Sequence, residues 1–170
     1  MKSNNHITVD QIKNDAEVIK KELVEWRHYL HAHPELSFKE ENSTHYIVNK
    51  LKNFGYKDIQ IGFGPLKTGV MVEIGSGRPC VMLRADIDAL PIQEQTGVEF
   101  CSQSKGVSHA CGHDAHITNL LGVAKLLKKY ENSIKGRVKL LFQPAEETRV
   151  KIYEKPLSGA GYVVRSGAID

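Results

Sequence analysis

The sequence has few cysteines, a single tryptophan, and neither a long apolar run nor a strong excess of charge of one sign. Three cysteines, Cys80, Cys101 and Cys111, form an odd and sparse set. Without a secretory leader they argue against a disulfide framework and for a reducing compartment. The opening stretch MKSNNHITVDQIKNDAEVIKK is polar and charged, with no apolar segment of the kind a signal peptide carries. Nothing approaches the ~20 apolar residues that a membrane-crossing helix needs. These absences predict a soluble, cytoplasmic protein with no membrane partner. The 23 basic residues exceed the 20 acidic ones only slightly, and the lysines are scattered along the chain. A nucleic-acid surface would need clustered basic residues with aromatics between them, so no nucleic-acid partner is expected. There is no internal repeat, low-complexity tract or clear linker.

What is present is the balance of a globular domain: 41% hydrophobic and 25% charged residues in a chain long enough to bury about two-thirds of its unfolded surface. Val9, Ile12, Ala16, Ile19, Leu23, Trp26 and Leu30 step by threes and fours and predict a helix over 9–33, closed by Pro34. The same period predicts a helix over 40–54, ended by Gly55, and another over 114–130, with Asp114 as its cap or first-turn acid. Between them the period shortens. Strands are expected around Ile59–Ile61 and over 69–74, with a turn at Gly75–Gly77. The run CVMLRA over 80–85 is so apolar that a central strand covered on both faces is expected. Residues 91–112 read as a loop, Val138, Leu140 and Phe142 as one face of a strand stopping at Pro144, and 157–168 as a last short helix. Helices mixed with apolar strands favour a three-layer α/β domain.

Three clusters carry potential chemistry, each beyond the end of an expected strand or at the start of a helix, where α/β sheets usually bind ligands. In His109-Ala-Cys111-Gly-His113-Asp114-Ala-His116, thiolate and imidazole are good zinc donors within reach of one site. A buried structural cysteine with helix-capping histidines, or a Cys–His nucleophile pair, would use the same residues. Pro144-Ala-Glu146-Glu147 offers one carboxylate for a metal and one for a water proton, although paired surface glutamates are common. Arg84-Ala-Asp86-Ile-Asp88 puts two acids at the end of a buried strand. They could orient a metal-bound histidine, or pair with Arg84, or cap a helix.

Taken together, LRADIDALP, HACGHDAH and FQPAEE, in this order and with these gaps, resemble the di-metal aminoacylase and carboxypeptidase-like amidohydrolases. The nearest branch is that of N-acyl-amino-acid, hippurate and auxin-conjugate hydrolases, which RHYLHAHPELSFKEENST also resembles; the likeness runs from about Arg27 to Asp170. It implies a mixed-sheet zinc-peptidase-like catalytic domain and hydrolysis of the amide of a small-molecule N-acyl amino acid. It also implies two divalent ions per complete site, zinc, manganese or cobalt. By position it places metal ligands on Cys111, His113 and Glu147, the catalytic acid–base on Glu146, and a supporting acid on Asp88. Asp86 stands where related branches carry a histidine ligand. The chain departs from the pattern at Ser108, where methionine is usual, and in the eleven residues 148–158, where the family has only a few. The resemblance also implies two later histidine ligands and a dimerisation domain that these 170 residues do not contain. Residues 1–170 therefore read as the N-terminal portion of the catalytic domain, with a homodimer expected only of a complete chain. The competing expectation is an inactive remnant that only binds metal or a protein partner.

Overall fold

The computed structural model describes residues 7–149 and 156–170. Helix α1 spans Val9–Ala32, and Thr8 caps it by accepting from the amide of Gln11 at 3.2 Å. Helix α2 spans Glu41–Phe54 and ends on Gly55, whose φ of 98° is the left-handed stop expected of a glycine there. Strands β1 (Ile59–Phe63), β2 (Leu66–Ser76) and β3 (Cys80–Asp86) follow, then a long loop, helix α3 (His113–Lys129), strand β4 (Gly136–Gln143) and helix α4 (Gly159–Arg165).

The four strands form one mixed sheet in the order β1-β2-β4-β3, with β3 parallel to β4 and the other pairs antiparallel. Side chains alternate across it, as extended backbone requires. Val70, Val72 and Ile74 of β2 and Leu140 and Phe142 of β4 face α1, α2 and α3, where they meet Leu30, Ile47, Leu51, Ile117 and Leu121. The opposite face carries Phe63, Met71 and Leu141 against Val163 of α4 and Ala168. Three layers result, and each fully buried aliphatic side chain contributes about 1.5–3 kcal/mol. The second face also holds a buried lysine. Lys139 donates to the carbonyls of Ala168 and Asp170 at 3.1 and 2.8 Å and lies 3.4 Å from Glu73, tying the residues after α4 to the sheet.

Two expectations need correction. The glycine-flanked turn starts later than expected, because β2 runs on through Ser76. More instructively, CVMLRA is not a central strand among the described residues: β3 lies at the edge of the sheet they form, and Val81, Met82 and Leu83 are 51%, 42% and 38% exposed. No helix among the described residues is long and apolar enough to cross a membrane.

Candidate metal centre

The parallel pair β3–β4 places two chain exits side by side, because parallel strands end at the same edge. Asp86 and Asp88 leave one strand, Glu146 and Glu147 leave the other, and α3 starts opposite them with Cys111 and His113. Gly112, at a φ of 78°, forms the bend that turns the loop into α3. Across this junction a sulfur of Cys111, a ring nitrogen of His113 and a carboxylate oxygen of Glu147 all lie within 4.8 Å of one another.

Asp88 holds this group together. It is fully buried, and its Oδ2 accepts from Ser37 Oγ at 2.6 Å and from the amide of Glu147 at 3.0 Å. Its carbonyl lies 2.9 Å from His113 Nδ1, and its Oδ1 lies 3.3 Å from the same nitrogen. Only acceptors surround Nδ1, so that nitrogen carries the proton and Nε2 presents its lone pair. Nε2 lies 3.8 Å from Glu147 Oε1. Fixing the tautomer of a ligating imidazole through its second nitrogen is what a metal-supporting group does. Burial raises the Asp88 carboxyl, but bonds from His113, Ser37 and the amides of Glu147 and Glu146 outweigh it and hold the pKa below the ordinary value. Burial lowers the His113 pKa, and its contacts with Asp88 more than restore it.

Cys111 is exposed, not a buried core residue. Its thiol is hydrogen-bonded to Glu147, and that bond, with burial and the charges of Glu147, Glu146 and Asp88, pushes its pKa up to about 11. Such surroundings weigh against a cysteine nucleophile, which needs its thiolate stabilised. A cation reverses the sign of the local field and favours the thiolate. Thiolate, imidazole and carboxylate are all good donors for zinc and neighbouring divalent metals, and three protein donors leave coordination positions open. The residues present therefore fit a divalent ion. Glu146, next to the donor group, is exposed.

The two aspartates separate. Asp86 pairs with Arg84 at 3.0 Å, and His116 Nδ1 lies 3.7 Å from it. Asp86, His113 and His116 form a second donor group, but the Arg84 guanidinium already neutralises its carboxylate and His113 is shared with the first. Asp114 is not the cap of α3; it is fully buried in the first turn and binds α1. Its Oδ2 accepts from Arg27 Nε at 3.2 Å and lies 2.8 Å from His31 Nδ1, while His31 Nε2 reaches Glu94 at 3.1 Å. This chain of charges clamps the loop after β3 between two helices. Burial lowers the His31 pKa, but Glu94 and Asp114 raise it further, so the net shift is upward. His109 is buried without a hydrogen-bond partner among the described residues, and burial lowers its pKa to about 4. It does not join the donor group.

Sequence reasoning took the segment between α1 and α2 only as part of the family resemblance and assigned its residues no role. There Glu35 accepts from the amides of Asn42 and Ser43 at 3.1 and 2.8 Å, Ser37 braces Asp88, and Glu40 is completely buried. Its signal was the polar, non-periodic stretch PELSFKE directly after a long amphipathic helix. Of the lengthened segment 148–158, residues 150–155 lie outside the described residues.

The chain is 40% identical to an N-acyl-L-amino acid amidohydrolase of Geobacillus stearothermophilus, over 96% of this chain and 42% of that protein. It is 44% identical to an N-acetyl-L-cysteine deacetylase of Bacillus subtilis, over 98% of this chain and 38% of the other. Thus it spans about two-fifths of the length of these curated relatives. Among solved structures, the YXEP protein of Bacillus subtilis, described as a dinuclear metal binding peptidase, matches with a TM-score of 0.77 and 41% identity, over 91% of this chain and 41% of that one. The model of peptidase family M20/M25/M40 matches residues 82–170, which contain most of β3, the whole donor group and both glutamates, and the chain belongs to that family.

Proposed function

We propose that this chain carries the metal-binding and proton-transfer part of an amidohydrolase acting on N-acyl amino acids. The observation that carries the reading is the convergence of Cys111, His113 and Glu147 on one point, with Asp88 binding two of the three. A divalent ion held by these three would supply Lewis acidity, making a water acidic near neutral pH and drawing charge from the scissile carbonyl. The chain's own residues do the rest. Glu146, exposed beside the donors, takes the proton of the attacking water and returns it to the leaving amine. Asp88 keeps His113 Nδ1 protonated and holds the Glu147 amide, so the donors are oriented before any ion arrives. The relatives named as amidohydrolase and deacetylase support the linear amide as substrate. Zinc, manganese and cobalt all suit the donor set, and the second ion of a dinuclear centre would need donors beyond these three. A cytoplasmic location, and a homodimer only of a complete chain, are also part of this reading.

The test combines metal and turnover. Zinc or cobalt is titrated into the chain, and hydrolysis of a panel of N-acetyl and N-benzoyl amino acids is followed on this chain and on any longer product of its reading frame. Binding with a cobalt–thiolate absorption band, and turnover that chelation abolishes and metal restores, are expected. Turnover that survives thorough chelation and dies with a thiol alkylator would reassign the chemistry to Cys111 as a nucleophile.

A further inference from the structure

Glu40, at the N-terminal boundary of α2, accepts from the Thr44 amide through its carbonyl, but its carboxyl does not serve that helix. Its side chain makes no capping hydrogen bond, and the neighbouring Glu35 supplies the acceptor for the first amides of α2 instead. Glu40 is fully buried, and no salt bridge involves it among the described residues. A carboxylate in such a place is costly unless its oxygens are satisfied by hydrogen bonds. They are. Oε2 accepts from Thr68 Oγ1 at 2.8 Å and Oε1 from the amide of Ala145 at 2.7 Å; burial nonetheless outweighs these bonds and leaves the Glu40 pKa raised.

One of those donors, Ala145, has an unusual backbone. Phe38 at φ 66° and Ala145 at φ 50° are the only non-glycine residues with left-handed backbone among the described residues. The Ala145 amide turns inward onto the Glu40 carboxyl. L-residues avoid this conformation because Cβ crowds the following carbonyl, and it persists only where the surroundings enforce it. Around Ala145 they do. Its carbonyl accepts from the amide of Gly159 at 2.7 Å. Neighbouring backbone comes so close that a Cβ on Gly159 would lie 1.6 Å from the Pro144 oxygen, and one on Gly69 would lie 2.5 Å from Pro144 Cδ. The chain leaving β4 is thus turned sharply at Ala145, one residue before Glu146 and two before Glu147.

We infer that Glu40 is a positioning residue for the candidate centre: by gripping the Ala145 amide it holds a left-handed pivot that aims Glu146 and Glu147. It touches neither substrate nor ion. This inference rests on the proposed metal reading for its consequences, but the pivot itself can be read without metal.

Two measurements test it on this chain. In hydrogen exchange by NMR without metal, the Ala145 amide of the folded wild type should be protected, and an amide exchanging as freely as an exposed one would overturn the proposal. In cobalt titrations, Glu40→Ala should weaken binding by about 10–100-fold, the range for removing a group that orients a ligand. Glu40→Gln keeps an acceptor for the Ala145 amide, since the Thr68 hydroxyl can reverse its role, and should bind within about threefold of wild type. Glu40→Ala combined with Ala145→Gly should regain part of the loss, because glycine adopts the pivot conformation without help. A folded Glu40→Ala variant with wild-type affinity would overturn the proposal, and so would a double variant no better than the single one. If Glu40→Ala does not fold, the exchange measurement and the Gln variant decide, a folded Gln variant with tenfold weaker binding counting against it. If the wild type binds no cobalt, the metal reading fails, and the protection of the Ala145 amide still decides the pivot.

Discussion

The two ends of the segment 80–88 invert the usual rule of burial. Its first half, Cys80 to Arg84, is apolar except for the last residue and lies exposed; its second half carries two carboxylates and lies buried, with Asp86 at 4% and Asp88 at 0% exposure. The difference is one of partners. Val81, Met82 and Leu83 have β4 on one side only, whereas Asp88 is surrounded by Ser37, His113 and the Glu147 amide. Burial in this molecule follows the supply of complementary groups, not hydropathy alone. The acidic half is where substitutions should be felt, and the apolar half is where they should not.

The largest effect is expected beside the acidic end. Glu146→Gln should lower amide turnover by ~10²–10⁴-fold in any form of the protein that turns over, with metal content unchanged. Near-normal turnover would move the role to Glu147. Next comes Asp88→Ala, which strands the Ser37 hydroxyl and the Glu147 amide and removes the carboxylate contact to His113 Nδ1, leaving that nitrogen only the backbone carbonyl at position 88. A stability loss of about 2–4 kcal/mol in urea unfolding and a ~10–100-fold fall in cobalt affinity are expected. If Asp88→Ala proved neutral in both, the contrast between the two halves would collapse. A smaller effect concerns pH. Because the His31 pKa is raised in the fold, its contribution is fully present below the unfolded value of 6.5 and is lost as pH rises through the higher folded value. Stability measured across that window should fall with rising pH in the wild type and lose that component in His31→Gln; an unchanged profile would show that the Asp114–His31–Glu94 clamp contributes nothing. The smallest effect belongs to the apolar half: Leu83→Lys should change stability by within ~0.5 kcal/mol and reduce self-association at the unpaired edge. A loss of several kcal/mol there would mean that the edge is covered in solution.

The elements were largely legible in the sequence because most of them are periodic. The α1 stripe from Ile19 to Leu30, the paired apolar positions of α2 and α3, and the alternation at Val138, Leu140 and Phe142 each reflect one buried face, whereas Val9 and Ile12 at the start of the α1 stripe lie exposed, and the helix expected near the end of the chain is α4. The three-layer mixed α/β domain follows from them. The edge position of β3 was not legible, since an apolar run reports what a strand could bury and not whether a neighbour is present to bury it. At the site, the family resemblance placed donors on Cys111, His113 and Glu147, and the structure brings these three within 4.8 Å of one another. Asp86 and Asp88 looked equivalent; only tertiary placement separates an Arg84 partner from a brace for His113. Glu40, Ser37 and the Arg27–Asp114–His31–Glu94 chain were invisible because their partners lie 28 to 105 residues away.

The close approach of Gly69 and Gly159 to the Pro144–Ala145 backbone has a consequence for how this protein tolerates change. Neither glycine has a side chain to offer chemistry, and each sits on a different element from the one it protects. Yet any larger residue at Gly159 would occupy the space of the Pro144 carbonyl, and at Gly69 that of the proline ring. In a library that samples every substitution at every position, scored for metal uptake, these two should be as intolerant as the ligands themselves. Gly77, Gly97 and Gly106, which face open space, should accept small residues at the modest penalty of their backbone angle.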